Sequence, residues 1–361
     1  MKNQSISIIA RVLAGLLFVL SPAQAAQAET LRLLTWGSYV PEVLIKKFKD
    51  ETGIDVEVIT SNNEEMISRL RATGGAGFDL AQPSQDRITG PQLEYEIYRP
   101  LDMSRIDQSL FDPELLAATT KNTEVNGDVF GVPYTWGVSG LLVNKERAPN
   151  FNSFNDLCND AYKGRVSMRL KRTILIGMGY AAGEDPFAAY DDLADYERIM
   201  EDAGQKLIAC KVNVKTYWKG GDDLSALIRS GEIVASDSWD GTAFKINAEE
   251  PHINFVPPDT GALGWIDTFV LPRKTKAEDA AYQWINFVMR PENAAIVSQA
   301  SGYKTGAKNF ESLLSDTARK SYNDAFTADD VALIKWFPPI PPGLEDLEGK
   351  ILERVKAATG G

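Results

Sequence analysis

Histidine is almost missing from this chain: His252, beside Pro251, is the single one in 361 residues. One imidazole makes a poor basis for a catalytic base, and it leaves a zinc site without its commonest ligand. No adjacent tyrosine pair offers a ferric site. The sequence has no Gly-x-Ser-x-Gly elbow, no His-Glu-x-x-His and no phosphate loop. Cysteine is nearly as rare. Cys158 and Cys210 are the two present, and their spacing fits neither a metal motif nor a His-activated nucleophile. These absences exclude the common enzyme classes and a metal carrier, so no catalytic residue, metal or cofactor is expected.

Positive charge is short. Lys and Arg number 38 against 50 Asp and Glu, a formal charge of −12. Such a balance lacks the basic footprint that nucleic-acid or anionic-membrane binding needs, although it says nothing of a buried pocket. Long apolar runs are also lacking, with one exception. Lys2 and Arg11 precede the run Val12–Leu20, which Ser21-Pro22 interrupts before Ala-rich sequence. The run is too short for a stable membrane helix. Ala26-Gln27-Ala28 supplies the small residues of a cleavage site, with Ala23-Gln24-Ala25 as a second possibility. Residues 1–28 therefore read as a secretory leader. Its removal takes the formal charge from −12 to −14. No Cys stands at the cleavage site, so a free periplasmic protein is expected. In that oxidising compartment Cys158 and Cys210 either bridge or remain buried thiols; a bridge would add about 4 kcal/mol in the chain-entropy model.

What is present is an ordinary globular composition with a repeated strand–helix alternation. Leu31–Trp36 reads as a buried strand, Pro41–Thr52 as a helix stopped by Gly53, and Ile54–Ile59 as a strand. A helix from Asn62-Asn63 to Thr73 and a short strand Phe78–Ala81 follow. This β-α-β-α-β order predicts a mainly parallel sheet with helices on its faces, and ligands beyond the strands' carboxyl ends. Trp36 and Ser84 stand at two such ends. The order recurs with strands Gly164–Met168, Lys211–Tyr217 and Ile233–Asp237, and helices Thr173–Gly183, Ala189–Ala203 and Asp223–Ser230. The run Pro272–Arg290 becomes helical, and a Pro-rich turn at 337–342 precedes a charged helix Leu344–Ala358.

Six segments, in this order, carry a resemblance: Trp36-Gly37-Ser38-Tyr39-Val40-Pro41, Glu51-Thr52-Gly53-Ile54, Phe78-Asp79-Leu80 with Pro83-Ser84, Val132-Pro133-Tyr134-Thr135-Trp136-Gly137, Trp239-Asp240-Gly241-Thr242-Ala243-Phe244, and Gly264-Trp265-Ile266-Asp267-Thr268. The chain resembles the periplasmic spermidine/putrescine-binding proteins. The resemblance implies an α/β fold of two lobes, each a mainly parallel sheet flanked by helices, joined by hinge strands and closing on a small ligand. It implies delivery to the membrane permease of an ABC transporter; nothing in the sequence resembles an oligomer seam, so a monomer is expected. Carried onto this chain, one lobe takes residues 29–142 and 266–312 and the other 143–265 and 313–361.

The resemblance also implies an aromatic box from Trp36, Tyr39, Trp136, Trp239 and Trp265, joined by Tyr303; ordinary core packing is the alternative for each of them. Ser38, Ser84 and Asp240 fall in the same motifs, and Gln85 and Asp86 follow Ser84 at a strand end, facing the expected cleft. The family's acids, which pair buried ammonium groups, are mostly replaced. Ser38 stands for one, and Arg169-Leu170-Lys171-Arg172 for an acidic cluster; Phe337 replaces a glutamine. Asp267 survives. A carboxylate at one end and a guanidinium at the other suit a zwitterion, so an ω-amino acid such as 4-aminobutyrate is the expected ligand. Asp267 would pair its ammonium, and Arg169, Arg172 or Lys219 its carboxylate. The alternatives are a solvated cationic run at a helix start, and a diamine site with Asp86 as its second acid.

Overall fold

The computed structural model describes residues 29–358, and the proposed leader lies outside them. The strand Thr30–Thr35 lies between Asp55–Thr60 and Leu80–Ala81, parallel to both. Its central place explains its apolar run: Leu31 and Leu33 enter one core cluster and Leu34 another, on opposite faces. The helix Glu42–Thr52 turns Leu44 and Phe48 inward, where Phe48 meets Trp284 and Phe287 at ring separations of 5.1 and 5.2 Å. Gly53 ends that helix at φ 75°, a left-handed conformation that glycine adopts without steric cost.

A second lobe is built around Val166–Met168, which pairs in parallel with Ala235–Trp239 on one side and Val214–Tyr217 on the other. The helix predicted over 189–203 runs instead from Leu193 to Ala209. Asp192 decides its start, because its carboxylate accepts the backbone N–H groups of Ala194 and Asp195. The preceding Ala188–Asp191 forms a 3-10 turn. The C-terminal helix Leu344–Ala357 packs on Leu193–Ala209 and on the helix Arg172–Ala181.

Two strands pass between the lobes. Val132–Asn144 and Leu263–Phe269 run antiparallel, in register from Ser139↔Leu263 to Val132↔Phe269, with a shift between Asp267 and Thr268. Gly137 is required where they cross: a Cβ there would stand 2.6 Å from Asp240 Oδ1 and 2.7 Å from the Trp265 ring. Cys158 and Cys210 form a disulfide at a sequence separation of 52, and the loop that it closes contains the helix Leu193–Ala209. Replacing both by serine should lower stability by about 4 kcal/mol through freer unfolded chain. Chemical denaturation of the two proteins measures this, and an unchanged midpoint would show that the bridge adds nothing.

Candidate functional site

A cavity of about 480 Å3 lies between the lobes, at the carboxyl ends of Thr30–Thr35 and Ala235–Trp239. Trp36, Tyr39, Trp239, Trp265, Tyr303 and Phe337 make its aromatic wall. These rings are held in place. Trp36 Nε1 donates to the Gln82 carbonyl at 2.8 Å, and the Tyr134 hydroxyl donates to the Tyr39 carbonyl at 2.5 Å. Trp265 stands edge-on to Tyr303 at 5.0 Å, and Tyr303 edge-on to Tyr39 at 6.1 Å. Trp265 Nε1 is buried with no hydrogen-bond partner among the described residues, so a donor in this wall is unspent.

Asp267 defines one end. Its carboxylate is buried and accepts the Tyr39 hydroxyl at 2.5 Å and the Ser84 hydroxyl at 2.6 Å. The register shift next to it leaves Tyr134 of the partner strand as the extra residue, between Thr135 opposite Asp267 and Pro133 opposite Thr268. Asn63 braces Ser84 from both sides, donating to its hydroxyl and accepting its backbone N–H. Burial pushes the Asp267 carboxyl up to about 7; the Ser84 and Tyr39 hydroxyls pull it down, and Asp86 adds a further push upward. An ammonium placed against it would restore full ionisation.

Arg169 defines the other end. Its backbone N–H donates to Asp237 Oδ1 at 2.8 Å, an oxygen that also accepts Trp218 Nε1 at 2.9 Å. The guanidinium lies 4.7 Å from the Trp239 ring centroid and 5.8 Å from that of Trp218. Its Nε is buried and unpartnered, and no carboxylate among the described residues forms an ion pair with it. Burial lowers its pKa, against the pull of Glu64 and Asp237. A guanidinium stacked on indole and open to the cavity is a ready carboxylate receptor.

Arg172 is placed differently. Its guanidinium is buried between Asp86 Oδ2 at 3.0 Å and Glu348 Oε1 at 2.9 Å, and it also donates to the Tyr190 hydroxyl. The expected carboxylate grip of Arg172 and the expected diamine role of Asp86 are thus spent on each other. Lys219 lines the cavity from an exposed position, close to Asp223, and is the less desolvated of the two expected carboxylate anchors that remain.

Three expected residues do not line this cavity. Trp136 faces the other side of its strand, toward Trp336 at 5.9 Å and Lys304 at 5.4 Å, while Ser139, an odd number of residues further on, takes the cavity face. Asp240 is buried behind Gly137, accepts the Gly241 N–H at 2.8 Å and borders a separate 420 Å3 cavity. Gln85 is buried in the 3-10 turn after Ser84. The remaining twelve, Trp36, Ser38, Tyr39, Ser84, Asp86, Arg169, Arg172, Lys219, Trp239, Trp265, Asp267 and Tyr303, come together around one space. Ser38 holds a left-handed φ of 66° at its rim.

Sequence reasoning missed Asn63, Glu64, Arg87 and Glu348. Asn63 carried only a helix-start signal. Glu64 makes a pair with Lys171 at 3.2 Å; burial works against its ionised form, but Arg87, Lys171 and Arg169 hold its carboxyl at about 2. Arg87 reaches Asp86 at 3.3 Å and pairs with Glu345.

The raised Asp267 pKa has a sign that can be tested. Its unfolded counterpart ionises near pH 4 and the folded group near 7, so its contribution is full below pH 4 and is lost as pH rises through 7. Asp267→Asn does not titrate. The thermal midpoint of the unliganded variant, relative to the native protein, should therefore rise between pH 5 and pH 8. A constant difference would contradict the assignment.

Comparison with known proteins adds to this geometry. Residues 43–328 match the profile of the bacterial extracellular solute-binding proteins. The spermidine/putrescine-binding periplasmic protein of Escherichia coli K12 is 29% identical over 329 residues, covering 88% of each chain. The structure of the spermidine/putrescine ABC transporter substrate-binding protein PotD from Streptococcus pneumoniae superposes with a TM-score of 0.70 at 23% identity, covering 91% of this chain and 99% of that one. The structure of the Atu4243 GABA receptor gives 0.68 at 18% identity, covering 91% and 97%. The last two show a common fold.

Proposed function

This chain belongs to the bacterial extracellular solute-binding proteins, and from that membership we propose that it captures an ω-amino acid such as 4-aminobutyrate for an ABC importer. The observation that carries the reading is the pairing of two unlike ends in one cavity: Asp267, a buried carboxylate that no cation among the described residues contacts, and Arg169, a guanidinium that forms no ion pair among them. Asp267 takes the ammonium, Arg169 takes the carboxylate in a bidentate bond, and Trp36, Trp239 and Trp265 cover the methylene spacer. A carboxylate of the ligand also finds the Trp265 N–H within the same wall.

The working form in this reading is an exported monomer freed of residues 1–28, and its periplasmic relatives support export. The lobes are 29–142 with 266–312 and 143–265 with 313–361, and closure brings Asp267 and Arg169 onto one ligand before transfer to a membrane permease. Diamine binding is the second reading. Similarity to spermidine/putrescine-binding proteins favours it, but its second acid, Asp86, already holds Arg172 and Arg87.

A thermal-shift panel tests the proposal, with 4-aminobutyrate, 5-aminovalerate, putrescine, spermidine and an α-amino acid at equal concentration. A ligand at about 100 times its dissociation constant stabilises by about 2.7 kcal/mol, enough to raise the midpoint by several degrees. A shift with the ω-amino acids alone is expected. A shift with putrescine or spermidine alone would replace this reading with the second.

A further inference from the structure

The same cavity contains an ion pair that reaches across it. Four carboxylates line the space, Asp86, Asp222, Asp223 and Asp267. Asp222 and Asp223 are exposed, whereas Asp86 and Asp267 are both buried, and Asp86 is close enough to raise the cost of ionising Asp267. Two buried carboxylates lining one cavity are what a ligand with an ammonium at each end requires. In this chain the second carboxylate is already answered. Arg172 comes from the opposite lobe, at the head of Arg172–Ala181, and sets Nη1 3.0 Å from Asp86 Oδ2 and Nε 2.9 Å from Glu348 Oε1. The guanidinium lies 4.9 Å from the Phe337 ring centroid, so it also has an aromatic cover.

We infer that Arg172 is the residue that excludes diamines: its guanidinium stands in for a second ligand ammonium, paired with Asp86 across the cleft and covered by Phe337. The inference deepens the ω-amino acid reading, on which it rests for the identity of the ligand. Two consequences follow from the geometry. A diamine docked on Asp267 meets a fixed positive charge where its other end needs a negative one, so like-charge repulsion and an unpaired buried ammonium both oppose it. The place that a diamine's second ammonium would take is already filled, so a ligand with a single ammonium leaves no buried carboxylate of the cavity unanswered. Without Arg172, Asp86 would keep only Arg87, which already serves Glu345, and Glu348 would lose the guanidinium it now contacts, so the region would gain unmatched negative charge.

The test is Arg172→Gln, with putrescine and 4-aminobutyrate titrated into the variant and the native protein by calorimetry. Putrescine should bind the variant at least about tenfold more tightly than it binds the native protein, the effect of about 1.4 kcal/mol. The 4-aminobutyrate affinity should stay within about threefold, because Arg169 rather than Arg172 holds its carboxylate. A folded variant with no gain for putrescine, or one that loses 4-aminobutyrate instead, overturns the inference. Removing a buried cation from two carboxylates can prevent folding. Arg172→Gln with Glu348→Gln removes one charge of each sign, and decides in that event: a gain for putrescine supports the inference, and no gain overturns it. The ω-amino acid reading fails separately, if the native protein does not bind 4-aminobutyrate; the putrescine ratio between variant and native protein is then still informative.

Discussion

Replacing Asp267 by asparagine should reduce affinity for any amine ligand of this protein by about 100-fold or more, the usual consequence of stranding a buried, hydrogen-bonded charge. The substitution is nearly isosteric. The Asn oxygen can still accept one of the two hydroxyls that now reach Asp267, from Tyr39 and Ser84, so the local hydrogen bonding is partly kept. What disappears is the only buried carboxylate lining the cavity that no Arg or Lys among the described residues already contacts. An ammonium drawn into an aromatic cavity without a counter-charge bears its full desolvation cost. Titration of the purified variant measures the loss, and affinity equal to that of the native protein would remove Asp267 from the site.

Arg169→Ala should weaken 4-aminobutyrate by a comparable factor of about 100, and leave a simple alkylamine little changed. The contrast between the two ligands isolates the carboxylate end. Stability should change little, since Arg169 holds no ion pair among the described residues, and Glu64 keeps Lys171 at 3.2 Å. Its stacking on Trp239 is the packing that is lost. Arg169→Lys keeps the charge but not the planar fork, and should fall between the two. If Arg169→Ala binds 4-aminobutyrate like the native protein, the anchor lies elsewhere, and Lys219 at the cavity mouth is the next cation to replace.

The first lobe was legible because local and tertiary demands coincide there. Its central strand is apolar because both faces are covered, and Gly53 stops its first helix in a conformation that favours glycine. The strand Val132–Asn144 was not legible as one element. It is buried along most of its length, so no polar alternation marks it, and Pro133, Gly137 and Gly140 interrupt its β-forming pattern. Without its register the side of Trp136 could not be assigned, and a one-residue offset is enough to turn that ring away from the cavity. The helix near residue 190 was misplaced by four residues at its start because Asp192 resembles any other surface acid until its carboxylate is seen over Ala194 and Asp195.

In the site, residue types were more legible than pairings. The exchange of acids for cations at 169–172 was visible, but not which cation remained unspent. Arg172 finds Asp86 and Glu348 at chain separations of 86 and 176 residues, and such pairs leave no local trace. Glu348 looked like one more charge on an amphipathic C-terminal helix, although it is buried against Tyr196 and Arg172.

The most direct test of the two-ended site is a calorimetric titration of the native protein with 4-aminobutyrate, butyrate and butylamine, the last two each lacking one charged end. Tight binding of 4-aminobutyrate, with both truncated ligands weaker by about 100-fold or more, is expected if each end meets a desolvated partner of opposite charge. Butylamine binding as tightly as 4-aminobutyrate would contradict a carboxylate receptor at Arg169 and return the cavity to a site for amines alone.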